Sequence, residues 1–405
     1  MLQNNLYVNC LPLDPLTVPA ASHYSLKPMK IGVPRETAAG EKRVALVPET
    51  AAKLVKRGLE VLVEPGAGAP ATYADAEYVK AGAKTGDPWS ADLVLKVQKP
   101  SLAEAGKVSE GSTLISFLYP LINADLVRAI AGRKAGAISV DMIPRTTLAQ
   151  SMDALSSQAN LAGYKAVLIA AERLPRFFPM LMTAAGTITP ARVLVFGAGV
   201  AGLQAIGTAK RLGAVVEATD VRPETKEQVE SLGGKFLQVT GVEIKQGAGG
   251  YAAEQSDEYN KKQAELVSDR ISKADVVITT ALIPGRKAPV LVTAAQVKSM
   301  RPGGIIVDLA AEQGGNVEGT VSGQEVQVDG VTIVGHPNLP STMAGAASQL
   351  YSRNLEKLLG HLLSKENAMK WDFADEITKG CVIVHKGEIV NAKVKEALEK
   401  AGAKA

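Results

Sequence analysis

The sequence predicts an α/β protein built of two doubly wound parallel sheets separated by a cleft. Three observations carry this reading. Short apolar, β-branched runs alternate with helix-period stretches along most of the chain, the pattern of a parallel sheet covered on both faces. One of those runs breaks into three glycines at G-x-G-x-x-G spacing, followed by a helical stretch and a second run that ends in an acid. The chain has 405 residues, 46% of them hydrophobic, which is long for one core and enough for two or three domains.

The elements follow in chain order. Residues 1–28 read as an N-terminal extension, uncharged up to Asp14 and rich in proline, without the basic start and compact apolar core of a secretory signal. Strand-like runs begin at Ile31, Glu60, Leu93, Thr113 and Gly136. Helical patterns lie between them at Pro48 to Lys56, around Ala74 to Ala81, and at Asn123 to Arg133. A long helical segment from Ser151 to Arg173 leads into a second set of runs starting at Val193, Ala214, Val276, Gly304 and Val331. Met343 to Lys365 has an apolar stripe at helical spacing, which reads as packing. Cys381 to Val390 reads as a hairpin, and the tail is expected to return to the first domain. The predicted domains are 29–158 with 340–405, and 159–339.

The glycine turn carries the chemistry. Val193-Leu-Val-Phe-Gly197-Ala-Gly199-Val-Ala-Gly202 opens a helix that runs from Leu203 to Leu212, with Gly213 as its stop. Gly197 serves the tight turn, Gly199 lets backbone approach a pyrophosphate, and Gly202 lets helix and strand pack closely. The helix N-terminus offers unpaired N–H groups to phosphate. Asp220, at the tip of the next run, suits an adenosine ribose and repels a 2′-phosphate, which favours NAD(H) over NADP(H). Arg222 complicates that preference, since arginine can receive a phosphate. Val200, Val221 and Arg222 beside these positions, with Thr280, Ala281 and Leu282 at the end of the following run, complete a cofactor-binding set. A second glycine pair, Gly66 and Gly68, lacks the third glycine and the following acid, and reads as an ordinary turn.

Composition excludes several classes. The net charge of +4 is small and the basic residues are interspersed with acids, while aromatics are only 4%, so no nucleic-acid platform is expected. Cys10 and Cys381 are isolated, which fits a reducing compartment. His336, His361 and His385 have no carboxylate or cysteine at ligand spacing, so no metal site is expected. No apolar stretch reaches the roughly 18 residues of a membrane span.

The motifs converge on one family. Met29-Lys-Ile-Gly-Val-Pro34-Arg35-Glu36-Thr37, with Arg43-Val-Ala-Leu-Val-Pro48, resembles the N-terminal signature shared by alanine dehydrogenases and pyridine nucleotide transhydrogenases. Pro144-Arg145 through Gln150, Asp153, Ser156 and Ser157 to Gly163 resembles the RQD loop and following helix of the NAD(H)-binding domain I of proton-translocating transhydrogenases. Gly249-Gly250-Tyr251-Ala is similar to that family's mobile loop, which closes over bound nucleotide. The resemblance runs from Met29 to the C-terminus and implies two Rossmann-like domains.

The resemblance also implies an enzyme, a proton-translocating, Re/Si-specific NAD(P)+ transhydrogenase, of which this chain supplies the NAD(H) side. Hydride would pass directly to NADP+ on a partner subunit, with membrane-spanning subunits moving the proton. A homodimer, attached to the inner side of the membrane through those partners, is expected on the same ground. Arg145, Gln150 and Asp153 are implied as the catalytic set around the nicotinamide, with Ser156, Gly250 and Tyr251 binding cofactor. Gln150, Asp153 and Ser157 recur at helical spacings and are expected to share a face. A polar helix entry with a cap is the plainer reading of the same residues.

Alanine dehydrogenase is the rival. The positions matching its carboxylate-binding cations are Arg43 and Lys96, both retained. Its proton-handling histidine and aspartate are matched by Tyr119 and Glu312. A tyrosine, with a reference pKa of about 10, moves protons poorly near neutral pH. Arg43 and Lys96 then read most simply as ion-pair or packing residues. A nucleotide-binding module without turnover is the remaining alternative.

Overall fold

Burial of continuous apolar runs sets the architecture. The structure is a computed structural model, and it describes residues 28–239, 257–282 and 287–402. The extension up to residue 27 and the glycine-rich segment with Gly250 and Tyr251 lie outside the described residues.

The first half of the chain gives strands β1 (Lys30–Val33), β2 (Glu60–Val63), β3 (Lys84–Thr85), β4 (Leu93–Leu95), β5 (Thr113–Ser116) and β6 (Gly136–Ser139). Helices α1 (Pro48–Lys56), α2 (Asp75–Lys80), α3 (Leu102–Ala105) and α4 (Ala124–Gly132) connect them, and α5 (Ala154–Arg173) follows. A small hairpin, β7 (Leu181–Thr183) and β8 (Gly186–Ile188), precedes β9 (Arg192–Phe196). The second half continues with α6 (Val200–Arg211), β10 (Val215–Thr219), α7 (Thr225–Ser231), β11 (Lys235–Phe236), α8 (Asp257–Lys273) and β12 (Val276–Thr279). Then come α9 (Ala294–Ser299), β13 (Ile305–Asp308), β14 (Glu325–Val328) and β15 (Val331–Val334). The tail holds α10 (Ala344–Leu362), α11 (Glu376–Cys381), β16 (Val382–His385), β17 (Glu388–Ile389) and α12 (Ala392–Gly402).

Two large sheets result. One has the order β17-β16-β6-β5-β4-β1-β2-β3, the other β11-β10-β9-β12-β13-β15-β14. Their long interiors are parallel, and among the described residues antiparallel pairs within these two sheets occur only at β16–β6, β16–β17 and β14–β15. Strands such as β5, β12 and β13 are buried at every position, as parallel strands covered on both faces must be. The strand order reverses between β1 and β4 in the first sheet and between β9 and β12 in the second, and such reversals open a crevice at the strands' C-terminal ends. The tail does return to the first sheet, through β16 on β6.

Helix α5 joins the two sheets. Ala154 at its start belongs to the core under the first sheet, and Ala166, Val167 and Ala170 belong to the core of the second. Near its middle a Cβ on Gly163 would collide with the carbonyl oxygen of Ala201, so the backbones of α5 and α6 touch there. The loop before α1 is stitched to the first half of α10 and to the turn that precedes it. Ser341, Ser348 and Ser352 hydroxyls accept the N–H groups of Lys42, Val44 and Val47 at 2.8, 2.9 and 3.1 Å.

Candidate nucleotide site

The glycine turn sits at the reversal point of the second sheet. Gly197 follows β9 with φ of +94°, a left-handed conformation that favours glycine. Its N–H donates to the Thr219 carbonyl at 2.8 Å, tying the turn to the end of β10. A Cβ on Gly202 would overlap the carbonyl oxygen of Gly197, so only glycine lets the helix come this close. Gly199 is the N-cap of α6, with no side chain capping that end. A Cβ there would meet nothing nearer than Arg222 Nη2, at 3.9 Å, so the approach to the helix N-terminus is open to a phosphate. Helix α6 therefore starts at Val200 rather than at the expected Leu203, because Val200, Ala201 and Gly202 form its first turn.

The loop after β12 closes one side. Thr280 Oγ1 donates to the carbonyls of Phe196 and Gly197, at 3.0 and 3.3 Å. The Ala281 N–H donates to Asn316 Oδ1 at 3.0 Å, and Asn316 Nδ2 returns a bond to the Ala281 carbonyl at 2.9 Å. Asn316 is set in turn by the buried Asp308, which accepts its N–H at 2.7 Å along with donors from Thr279, Ala310, Val317 and Thr320. Sequence reasoning missed both Asn316 and Asp308. The available signal was an acid ending a buried apolar strand, as at Asp220. Val200, Val221 and Leu282 are exposed apolar residues just beyond β9, β10 and β12, a rim suited to a flat ring.

Asp220 faces this turn. Its Oδ2 accepts the Ala198 N–H at 2.7 Å and Arg222 Nη2 at 3.0 Å. Its Oδ1 accepts the Arg222 N–H at 2.8 Å and Arg222 Nε at 3.0 Å. Burial alone would raise this carboxyl, but the bonds from Arg222 and Ala198 outweigh it and hold it below its ordinary range.

The predicted nicotinamide-end residues lie at the N-terminal end of α5. Arg145 and Gln150 are exposed. Asp153 is the N-cap of α5: its Oδ1 accepts the Ser156 N–H at 2.9 Å and its Oδ2 the Ser156 hydroxyl at 2.6 Å. The expected common face of Gln150, Asp153 and Ser157 is not formed. Gln150 lies on a separate 3-10 turn, Gln150–Met152, and the helix begins only at Ala154. Ser157 turns away to Asn354 of α10, at 2.7 Å.

A third cluster fills the crevice of the first sheet. Arg43 forms a fork on Glu41, with Nε to Oε1 at 2.8 Å and Nη2 to Oε2 at 2.6 Å, and adds Gln158 of α5 and Asn338. Lys96 pairs with Glu36 at 3.3 Å and Glu104 at 3.0 Å. Both cations are ion-paired within the chain. Tyr119 has φ of +47° and stacks on Phe117, with its N–H directed to Asp141. The surrounding chain and the charge of Asp141 push its phenol above the ordinary tyrosine range, although the residue as a whole is 36% exposed. Glu312 accepts the Asn338 N–H and lies in the field of Arg43. Among the described residues no group of three or more His, Cys, Asp or Glu converges as a metal site, and no helix is long and apolar enough to cross a membrane.

Residues 32–162 match the alanine dehydrogenase/PNT N-terminal domain, and residues 166–392 match the alanine dehydrogenase/PNT C-terminal domain. The chain belongs to the alanine dehydrogenase/PNT family. It is 50% identical over 376 residues to the first portion of the NAD(P) transhydrogenase alpha subunit of Rhodospirillum rubrum, covering 90% of this chain and 98% of that one. A solved transhydrogenase structure from Sinorhizobium meliloti is 46% identical and superposes with a TM-score of 0.82, over 89% of this chain and 100% of that one. An L-alanine dehydrogenase structure is 27% identical with a TM-score of 0.75, over 92% of this chain and 99% of that one. Both have the two-sheet architecture seen here.

Proposed function

We propose that this chain is the NAD(H)-binding alpha subunit of a proton-translocating transhydrogenase. The observation that carries the proposal is the glycine turn at Gly197, with the open N-terminus of α6 and Asp220 beside it, in a chain half identical to a relative named as a transhydrogenase alpha subunit. When bound, the nicotinamide supplies the hydride, and transfer to a second nicotinamide needs no protein acid or base. The chain's work is placement. The α6 N-terminus and its glycines hold the pyrophosphate, and Asp220 selects the unphosphorylated ribose of NAD(H). Val200, Val221, Thr280, Ala281 and Leu282 frame the adenine end. Arg145, Gln150, Asp153 and Ser156 hold the carboxamide and ribose at the nicotinamide end. The exposure of Arg145 and Gln150 suits them to meet a second nucleotide bound on a partner subunit. Leu148, 69% exposed on the same loop, offers that partner an apolar contact.

The remaining parts of the reading follow. The two sheets support domains at 29–158 with 340–405 and at 159–339. The NADP(H) site and the proton pathway belong to partner and membrane-spanning subunits, which hold this chain at the inner membrane surface. The hairpin of β7 and β8, with exposed Met180, Met182 and Ile188, supports a homodimer. An alanine dehydrogenase activity is favoured only by the overall likeness and the retained Arg43 and Lys96, and Tyr119 weighs against it. The test is a titration of the isolated chain with NADH, then transfer in the presence of an NADP(H)-binding partner. NADH binding far tighter than NADPH, and transfer on adding partner, are expected. Binding without transfer would make the chain a regulatory module, and equal affinities would remove Asp220 as the selector.

A further inference from the structure

The hydrogen bonds that Asp220 makes within the chain conflict with the job assigned to it. A carboxylate offers about four lone-pair positions. All four are taken: two by the backbone N–H groups of Ala198 and Arg222, two by Nε and Nη2 of Arg222. The Arg222 side chain also covers the acid, leaving the Asp220 side chain 5% exposed while itself remaining 30% exposed. Its Nη2 stands at the edge of the opening above Gly199, 3.9 Å from where a Cβ would be. No ribose reaches Asp220 while Arg222 stays in place.

The surroundings allow Arg222 to leave. Its backbone is fixed independently, because its carbonyl accepts both the N–H and the hydroxyl of Thr225, at 3.2 and 2.8 Å. Its N–H to Asp220 is a backbone bond that survives a rotamer change. Among the described residues, its side chain hydrogen-bonds to Asp220 alone.

We infer that Arg222 is the internal occupant of the adenosine-ribose position, and that nucleotide binding exchanges its guanidinium for the two ribose hydroxyls. The exchange trades two hydrogen bonds for two, while the two backbone N–H bonds keep the carboxylate aimed. Arg222 therefore competes with NAD(H), and once displaced it is a cation at the edge of the ribose position. A 2′-phosphate would meet that cation rather than a bare carboxylate. Arg222 thus weakens NADH binding and narrows the gap to NADPH. The inference rests on the reading of the Gly197 turn as a NAD(H) site.

The experiment compares the wild-type chain with Arg222→Ala and Arg222→Lys, titrated with NADH, NADPH and reduced nicotinamide mononucleotide, which lacks the adenosine. Arg222→Ala is expected to bind NADH on the order of fivefold tighter, the factor that a partly exposed ion pair converts to. It is expected to bind NADPH more weakly and the mononucleotide unchanged. In parallel, the arginine Nε–H resonance of Arg222 is followed by NMR in the wild-type chain, assigned by its loss in Arg222→Lys. It should move on saturation with NADH and stay in place with the mononucleotide. An Arg222→Ala chain that binds NADH equally or more weakly, or an Arg222 resonance unmoved by NADH, overturns the exchange and leaves the NAD(H) site standing. A wild-type chain that does not bind NADH overturns both.

Discussion

Asp153 caps helix α5 by holding Ser156 twice, through its backbone N–H at 2.9 Å and its hydroxyl at 2.6 Å. The carboxylate is therefore a fixed part of the helix entry before any nucleotide arrives. Asp153→Ala should cost about 1 kcal/mol of folding stability, the usual worth of an N-cap, whereas Asp153→Asn should stay within about 0.5 kcal/mol of wild type because asparagine caps as well. Urea unfolding of the three proteins checks this. Equal losses for both variants would show that the charge, not the cap, matters here.

Gly199→Ala and Gly202→Ala should fail in different ways. Alanine at 202 overlaps the Gly197 carbonyl oxygen and must displace backbone, so its melting temperature should fall clearly. Alanine at 199 has room, with its nearest neighbour at 3.9 Å. It should leave the melting temperature nearly unchanged and lower NADH affinity by about tenfold or more, since the methyl stands where the pyrophosphate approaches. Calorimetry and fluorescence titration separate the two.

The strands and glycine turn were legible because their signals are local. A parallel strand buried on both faces must be a continuous apolar run, and β9, β12 and β13 are that. The hairpin of β7 and β8 was not legible because Met182 and Ile188 are exposed, so no burial pattern marks it. Helix α8 is largely polar and lacks a clear apolar stripe, so its sequence gives little periodicity. At the site, the residue types were readable but not their present partners. That Arg222 grips Asp220, or that Ser157 turns to Asn354, depends on rotamers and on a helix far away in sequence.

Gln150→Asn should slow hydride transfer far more than it weakens NADH binding. The side chain is exposed and contributes little to folding, so stability should not change. The shortened amide moves by about 1 Å, a displacement that can cost about a hundredfold in a positioned reaction. Stopped-flow transfer with an NADP(H)-binding partner, set against equilibrium NADH affinity, reads the two effects apart. A loss of affinity with unchanged transfer by the bound fraction would make Gln150 an anchor only.

Alanine oxidation should be absent at neutral pH. The phenol of Tyr119 is pushed above its ordinary range, so it stays protonated and cannot accept the proton that amino-acid oxidation releases. An assay with alanine and NAD+ checks this. Turnover at ordinary enzymatic rates would favour the dehydrogenase reading instead.

Acid should loosen the crevice of the first sheet. Burial works to raise the Glu41 carboxyl, but the hydrogen bonds and charge of Arg43 prevail and hold it at about 2. A folded pKa below the unfolded one, about 4.3 for a glutamate, gives stability that is full above the unfolded value. That stability is lost as pH falls from about 5 toward 2. Glu41→Gln leaves Arg43 buried without its counter-charge and should cost about 3–5 kcal/mol at neutral pH. The gap to wild type should shrink below pH 4 in denaturant titrations. A gap independent of pH would show that the pair contributes through packing alone.

Helix α5 touches α6 at Gly163, beside the first turn proposed to receive a pyrophosphate, and is capped at Asp153, beside the residues proposed for the nicotinamide. Ten positions separate those two contacts, about 15 Å at 1.5 Å per residue. On the proposed binding mode, a single helix thus acts as a ruler between the two ends of the dinucleotide. Any side chain larger than glycine at position 163 would change the zero of that ruler, shifting one end of the cofactor relative to the other without touching it.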